Sequence, residues 1–571
     1  MSKIDWRKTL GWGDEQVEDI RVADDASEHR ETAVLVVEIG RVVAEAQEPL
    51  AGGRVLPARI HHAFLGHDPD LGGSGTIGGH DALGVNLEGP INEQNSFLFS
   101  ARRSYLDFIF KAAGFSFVPE YWDFLGKSSF KLDSKNSISF VGIGVLDNVK
   151  YFNSTSEKRF DNSRVLGSDQ RQFIFGATWK HLAPSGYTNV TLGQTNVDYD
   201  YVQRDTVLQP VFSNTSFEYE TSLRGEMVMQ VGEHSELTFG AIGKIVNFSS
   251  SMFLRQFLTD YGQNISVNAQ YDTMALKAGF YTQFSRSIAP WKFTFGLRSD
   301  YFNLLEKNIV LSPRFSVSYK FSSSTSVTAS VGKYFQSPSY IWLVSNPANR
   351  NLRFINVNQY ILGVEQTMRS DTKISIEGYV KKYSDYPASI KQPFLVLANS
   401  GAGFGGREES FASFGVDSLA SKGNGEARGI EFFIQKKLSE IPCYGTFGIS
   451  YSQSKFTALD GKERASSFDQ RWIINIGGGY IFDEAWEVGT KFRFATGRPY
   501  TPYASSGTKN IDLYNTVRVG NNHSLDVRID RRWMMKNWML VTYIDVQNVY
   551  NKKPLDVPRF NERTMRVEQN D

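Results

Sequence analysis

Four of the eight histidines fall between residues 61 and 80: His61, His62, His67 and His80, with Asp68, Asp70 and Asp81 nearby. Neutral imidazole and carboxylate together suit zinc or nickel. Their spacing matches neither a zinc finger nor a zincin. The surrounding stretch, "HHAFLGHDPDLGGSGTIGGHD", is rich in glycine, and a solvated linker is the plainer reading. Its inner segment "GGSGTIGGHD" lacks the GK[ST] of a phosphate loop, and one copy does not make a calcium roll. A second set lies in "FQSPSYIWLVSNPANRNLRF", Phe335–Phe354. There Tyr340, Trp342, Asn346, Asn349 and Arg350 combine ring faces, amides and a guanidinium, the groups that hold a sugar, a peptide or a chelate. Aromatic residues also gather at membrane interfaces for their own sake. Cys443 is the only cysteine, so there is no disulfide framework and no CxxC site. No Ser/His/Asp or Cys/His set is readable. The expectation is therefore no catalytic residue, no cofactor and no enzyme activity.

The elements that would position these residues come in two styles. Residues 1 to about 80 are rich in Ala, Val, Glu and Arg and poor in aromatics. Leu35, Ile39, Val42 and Val43 fall at helical spacing and suggest one apolar helix face there. From Leu83 onward the sequence consists of short alternating segments rich in Phe, Tyr, Ser and Gly. In "RFSVSYKF", Phe315, Val317, Tyr319 and Phe321 oppose Arg314, Ser316, Ser318 and Lys320. "SVTASVGK", "WEVGTKFRFATG" and "GIEFFIQKKL" alternate in the same way. A period of two gives each strand one apolar and one polar face.

Such faces suit a soluble sandwich, apolar side inward, or a membrane barrel, apolar side toward lipid. The barrel is favoured on three grounds. Many segments have the roughly 9–12 residues needed to cross a bilayer at a tilt. About twenty follow one another with no helical insertion or blade-length repeat. Connections also alternate in length. Short turns near 322–325, 370–371, 439–444 and 483–485 are followed by long loops near 337–357, 386–426, 457–470 and 497–523. Outer-membrane barrels have this rhythm of short periplasmic turns and long extracellular loops. No run of apolar residues is long enough for a membrane helix. A net charge of +1 argues against nucleic acid as a partner. The aromatic content of 14% suits strands with many interface-facing rings.

Particular stretches go further. "GVNLEGPINEQNSFLFSARRSYLD", "GKYFQSPSYIWL", "NQYILGVEQTM", "GEARGIEFFIQKKL", "FDQRWIINIGGGYIF", "FRFATGRPYTPY", "LDVRIDRRW" and "YIDVQNVYNKK" resemble, in order, barrel segments of the TonB-dependent outer-membrane receptors, across residues 83–553. The resemblance implies an all-β transmembrane barrel of 22 antiparallel strands, of which about 20 are readable, with its lumen blocked by an N-terminal plug. It implies import of a scarce solute (a ferric chelate, cobalamin, a glycan or a peptide) bound at the extracellular loops. Partners would be outer-membrane lipid, the solute and the periplasmic TonB protein of the inner-membrane energising complex. The alternative is a plugless or truncated barrel, acting as a passive pore or surface-binding protein. An outer-membrane lipase or protease is the enzyme-class alternative.

The domain division expected is an atypical region of mixed structure over 1–60, a Gly/His-rich linker over 61–82 and the barrel over 83–571. Residues 1–80 are fewer than a plug of the family has, and "ETAVLVVE" at Glu31–Glu38 only superficially resembles a TonB box. "MSKIDWRKTLGW" has no apolar secretory core, and "NERTMRVEQND" ends polar where one more strand is expected. Finally, Arg102 and Arg103 are adjacent within one strand, so their side chains leave opposite faces. One should be luminal. The other must sit at a membrane rim, because a lipid-facing arginine at the midplane costs roughly 2–4 kcal/mol.

Overall fold

Alternation along the chain becomes a 23-stranded antiparallel sheet. The computed structural model describes residues 41–43, 74–77, 82–104, 106–112, 114–397, 417–535, 539–561 and 564–569. Setting aside three short pieces (Arg41–Val43, Ser74–Ile77 and Glu463–Ala465) leaves 20 main strands among the described residues. They run from Ala82–Asn92 to Met539–Val546, and each pairs with the next main strand in the chain.

The first and last main strands each gain a short N-terminal partner. Ser74–Ile77 ladders onto Ala82–Asn92, and Arg41–Val43 onto Met539–Val546. Both depart from the sequence reading. Val42 and Val43 lie in a strand and not on a helix face, because an unpaired sheet edge offers a ladder that β-branched residues fit well. Ser74–Ile77, read as linker, is a strand for the same reason. Leu35 and Ile39, the Glu31–Glu38 segment, any plug, and His61, His62, His67 and His80 lie outside the described residues.

The apolar face points outward. On Ser235–Leu258 the outward residues Leu237, Phe239, Ala241, Gly243 and Ile245 form an apolar band, which then gives way to Asn247, Ser249 and Ser251. A band of about nine residues matches a tilted membrane strand. The strands Pro210–Gln230, Ser235–Leu258 and Asn264–Ile288 have 21, 24 and 25 residues, so they continue well past the bilayer. The inward face is polar and ion-paired. Arg298 meets Asp300 at 2.6 Å, Arg528 meets Asp530 at 2.6 Å, and Lys244 meets Glu220 at 2.6 Å.

Arg102 and Arg103 divide as their parity requires. Arg102 turns into the lumen and donates to Asp123 at 2.8 Å. Arg103 shares the outward face of Phe97 and Phe99 but stands at the end of the strand. There it meets Asp107 at 2.8 Å and Glu120 at 3.4 Å, with its guanidinium 5.5 Å from the Trp122 ring. Arg531 does the same at the other rim, 3.6 Å from the Trp533 ring and 4.9 Å from Trp486. Both outward arginines thus keep their charge at an interface beside tryptophan.

One rim carries tight turns, from the two residues of Pro184–Ser185 to the six of 437–442. In the turn before Thr372–Ser389, Asp371 accepts from Lys436, Ser439 and Thr372, which together hold its carboxyl well below the usual range. The opposite rim carries the long connections, with helices Leu106–Ala112, Ser156–Asn162 and Tyr340–Ser345 and a separate ladder of Pro499–Tyr500 on Val517–Arg518.

Candidate functional site at the long-loop mouth

The largest buried apolar cluster lies inside the wall, at and beyond the height where the outward face turns polar. Val246, Phe248, Met252 and Leu254 point inward from one strand and Ala275 from the next. Against them pack Leu304 and Leu305, helix Tyr340–Ser345, and Phe394, Leu395 and Leu397 of another loop. The loops therefore fold down between the extended strands and fill the mouth from its own rim.

The segment singled out for solute contact is the centre of this packing. Tyr340 is buried and stacks on Phe248 with centroids 5.8 Å apart, while Phe302 approaches edge-on at 5.9 Å. Lys277, from the wall, sets its ammonium 4.4 Å from the Tyr340 ring and 4.6 Å from that of Phe302. Trp342 is buried beside it. Among the described residues, neither the Tyr340 hydroxyl nor the Trp342 indole N–H has a hydrogen-bond partner. Asn346 caps the 3-10 turn Pro347–Asn351, accepting from the Ala348 N–H at 2.9 Å.

Asn349 has no solvent exposure and clamps two loops together. Its Nδ2 donates to the Trp342 carbonyl at 2.7 Å and the Asp417 carbonyl at 2.9 Å, and its Oδ1 accepts from the Leu419 N–H at 2.8 Å. Arg350 is exposed. The five residues are thus brought together, four of them in holding the loop and one facing solvent.

A cavity of about 260 Å³ opens beside this core, lined by Phe160, Arg164, Asp260, Tyr503, Arg559 and Phe560. The Tyr503 hydroxyl donates to Asp260 at 2.6 Å, and Lys509 reaches the same carboxylate at 3.0 Å. Burial, and then the bond to Asp260, push the Tyr503 hydroxyl far above its ordinary value. Two guanidiniums and several ring faces around a small cavity suit an anionic, ring-bearing ligand. Its residues come from four distant segments, so no local spacing in the sequence signals them.

The "FDQRW" and "GRPYTPY" stretches meet at the same rim. Asp469, 1% exposed in its side chain, pairs with Arg471 at 3.1 Å and with Arg518, and accepts from the Ser454 N–H at 2.8 Å. Arg518 also donates to the Gly497 carbonyl at 3.1 Å. A Cβ on Gly497 would stand 1.6 Å from the Val519 carbonyl, so only glycine lets the two chain segments lie this close. The motif is a structural brace.

A sheet with an apolar outer belt, a polar interior, tight turns on one rim and long loops on the other defines a transmembrane β-barrel of the outer membrane. The family model for the β-barrel of TonB-dependent receptor-like proteins matches residues 103–549, and the chain belongs to that family. The long-loop mouth is accordingly its extracellular end, and the family is one of transporters, not enzymes. Solved structures share the fold at low identity. A mutant of the ferric enterobactin receptor of Pseudomonas aeruginosa is 13% identical, over 84% of this chain and 74% of that one, with a TM-score of 0.61. The ferripyoverdine receptor of the same organism, bound to ferripyoverdine, is 13% identical over 87% and 69%, with a TM-score of 0.62. The FrpB iron transporter of Neisseria meningitidis is 12% identical over 82% and 79%, with a TM-score of 0.57. No curated protein matches the sequence.

Proposed function

We propose that the chain imports a specific scarce solute, received at the extracellular loops and passed through the lumen when the TonB protein of the inner-membrane complex supplies energy. The observation that carries this reading is the loop core, which roofs a polar, ion-paired lumen and adjoins a cavity lined by Arg164 and Arg559. Solute enters beside the exposed Arg350, and contact with Tyr340, Trp342, Asn346 and Asn349 follows when the loop lifts. The docked loop withholds water from the Tyr340 hydroxyl and the Trp342 N–H, a cost of about 1–3 kcal/mol each that lifting returns. Among ferric chelates, cobalamin, glycans and peptides, an anionic ferric chelate fits best. Its charge suits the two guanidiniums, and the three solved relatives named above are receptors or transporters of iron or its chelates by their titles.

The test is single-channel conductance of the purified, refolded chain in a planar bilayer, without and with a panel of ferric chelates. Low conductance, with a chelate that protects Arg350 from trypsin, supports the reading. A large, steady conductance that no chelate alters would establish a passive pore instead.

A further inference from the structure

At the tight-turn end of the lumen, far from the loop mouth, five neighbouring strands carry two rows of polar side chains. They are Phe117–Lys131, Asn136–Tyr151, Gly167–Ala183, Gly186–Arg204 and Pro210–Gln230. Their inward faces are fixed at either side by Asp123, which meets the luminal Arg102, and by Glu220, which meets Lys244. In the first row Ser129, Ser139, Thr178, Thr191 and Arg224 are direct cross-strand partners in turn. In the second the partners are Lys131, Ser137, Lys180, Asn189 and Glu226. Lys127 stands two residues along from Ser129, on the same face. Turns 132–135 and 184–185 adjoin the rows, which places them at the periplasmic end.

A cavity of about 490 Å³ lies against these rows, and Glu226 apart, every polar side chain on it carries a donor. Glu226 is already held by Arg224 and by the Tyr281 hydroxyl. Arg224 spends one nitrogen on Glu226 and Tyr281, at 2.9 and 3.3 Å, and keeps Nε and Nη1. The Thr178 and Thr191 hydroxyls bond each other at 3.0 Å, which leaves one of their two protons over. Among the described residues the half-buried Ser129, Ser137, Ser139 and Asn189 side chains have no hydrogen-bond partner. Lys127 and Lys131 meet no carboxylate there, and Lys180 meets only the Tyr187 ring, at 5.1 Å. Water satisfies hydroxyls, but it leaves three neighbouring ammonium charges without a counter-charge. A multivalent oxyanion satisfies both.

We propose that this sector is a binding site for a small multivalent oxyanion, one bearing phosphate or carboxylate oxygens. Its charge lies among Lys127, Lys131 and Lys180, and the serine and threonine hydroxyls donate to its oxygens. The site is separate from Arg164 and Arg559 at the loop mouth, and it does not depend on which solute the mouth receives.

The test is isothermal titration calorimetry of the full refolded chain in detergent with inorganic pyrophosphate, at an ionic strength fixed with chloride. Citrate is the second arm, and the tighter of the two tells phosphate from carboxylate as the source. The expected result is one anion per chain. Lys127→Gln combined with Lys180→Gln weakens it roughly a hundredfold, each charged hydrogen bond being worth about tenfold. Ser137→Ala combined with Ser139→Ala weakens it about tenfold with no change of charge. Lys292→Gln combined with Lys320→Gln removes the same charge from the same end of the lumen, on Trp291–Phe302 and Ile309–Lys320, and leaves binding as in the parent. Far-ultraviolet circular dichroism checks that every variant keeps the barrel. Failure of the parent to bind either anion, or an equal loss in the 292 and 320 variant, overturns the proposal. Loss of binding on Arg164→Gln, with the 127 and 180 variant unaffected, puts the anion at the mouth and overturns it too.

Discussion

Replacing Asn349 by alanine tests whether the mouth is closed by its own loops. The side chain makes three hydrogen bonds, two of them fully buried, and all three partners are backbone groups. Alanine leaves the Asp417 carbonyl and the Leu419 N–H without that partner, while the Trp342 carbonyl keeps the Ser345 hydroxyl at 3.0 Å. Each unsatisfied buried group costs about 1–3 kcal/mol, so the docked loop loses at least ~2 kcal/mol. At tenfold per 1.4 kcal/mol, the opening equilibrium of the loop shifts at least about thirtyfold. The barrel's ladders do not run through Asn349, so global unfolding should barely move. The assay is limited trypsin digestion of the refolded chain in detergent, followed at Arg350 and Arg353. Cleavage there requires the Pro347–Asn351 turn to open, and its rate tracks the open population when reclosing is fast. Asn349→Asp keeps an acceptor for Leu419 but turns a buried carboxylate toward two carbonyl oxygens, so it should open the loop at least as far as alanine. Cleavage of the alanine variant within about twofold of the parent would refute the clamp.

Other outcomes follow from the faces and the braces. Leu362→Arg, on the lipid side, should destabilise the barrel in vesicles by about 2–4 kcal/mol in a denaturant titration, whereas Thr328→Lys, at similar depth on the luminal side, should cost under about 1 kcal/mol. Asp469→Ala should expose the 496–521 loop to trypsin at Lys509. Breaking this buried pair should cost about 3 kcal/mol, the low end of the usual range, because Arg471 and Arg518 are each about a third exposed. Asp371 has a folded pKa below its unfolded value, so its contribution is present above about pH 3.9 and fades as pH falls through the folded value. Asp371→Asn should therefore lower the midpoint of thermal unfolding at neutral pH and leave it nearly unchanged at the most acidic pH that can be measured.

Much of this was legible in order along the chain. Phe315, Val317 and Tyr319 against Arg314, Ser316 and Ser318 reveal a two-faced strand, because side chains in a pleated backbone alternate without exception until a bulge. Adjacent Arg102 and Arg103 reveal one luminal and one rim position for the same reason. Turn lengths reveal the two rims, since successive up-and-down strands place their connections on alternate rims and only one rim carries tight turns. These are local properties, and local spacing carries them. What the aromatic and polar residues of 335–354 do was not legible. Tyr340, Trp342 and Asn349 look the same on paper whether they hold a ligand or a loop. The difference lies in Lys277, Phe302, Asp417 and Leu419, between 38 and 70 positions away from the residues they meet. Likewise the cavity joins Arg164, Asp260, Tyr503 and Arg559. The sequence by itself determined which face each residue takes. Only the curling of the sheet decided which residues share a height and a neighbour on that face, because that depends on the register of strands far apart in the chain.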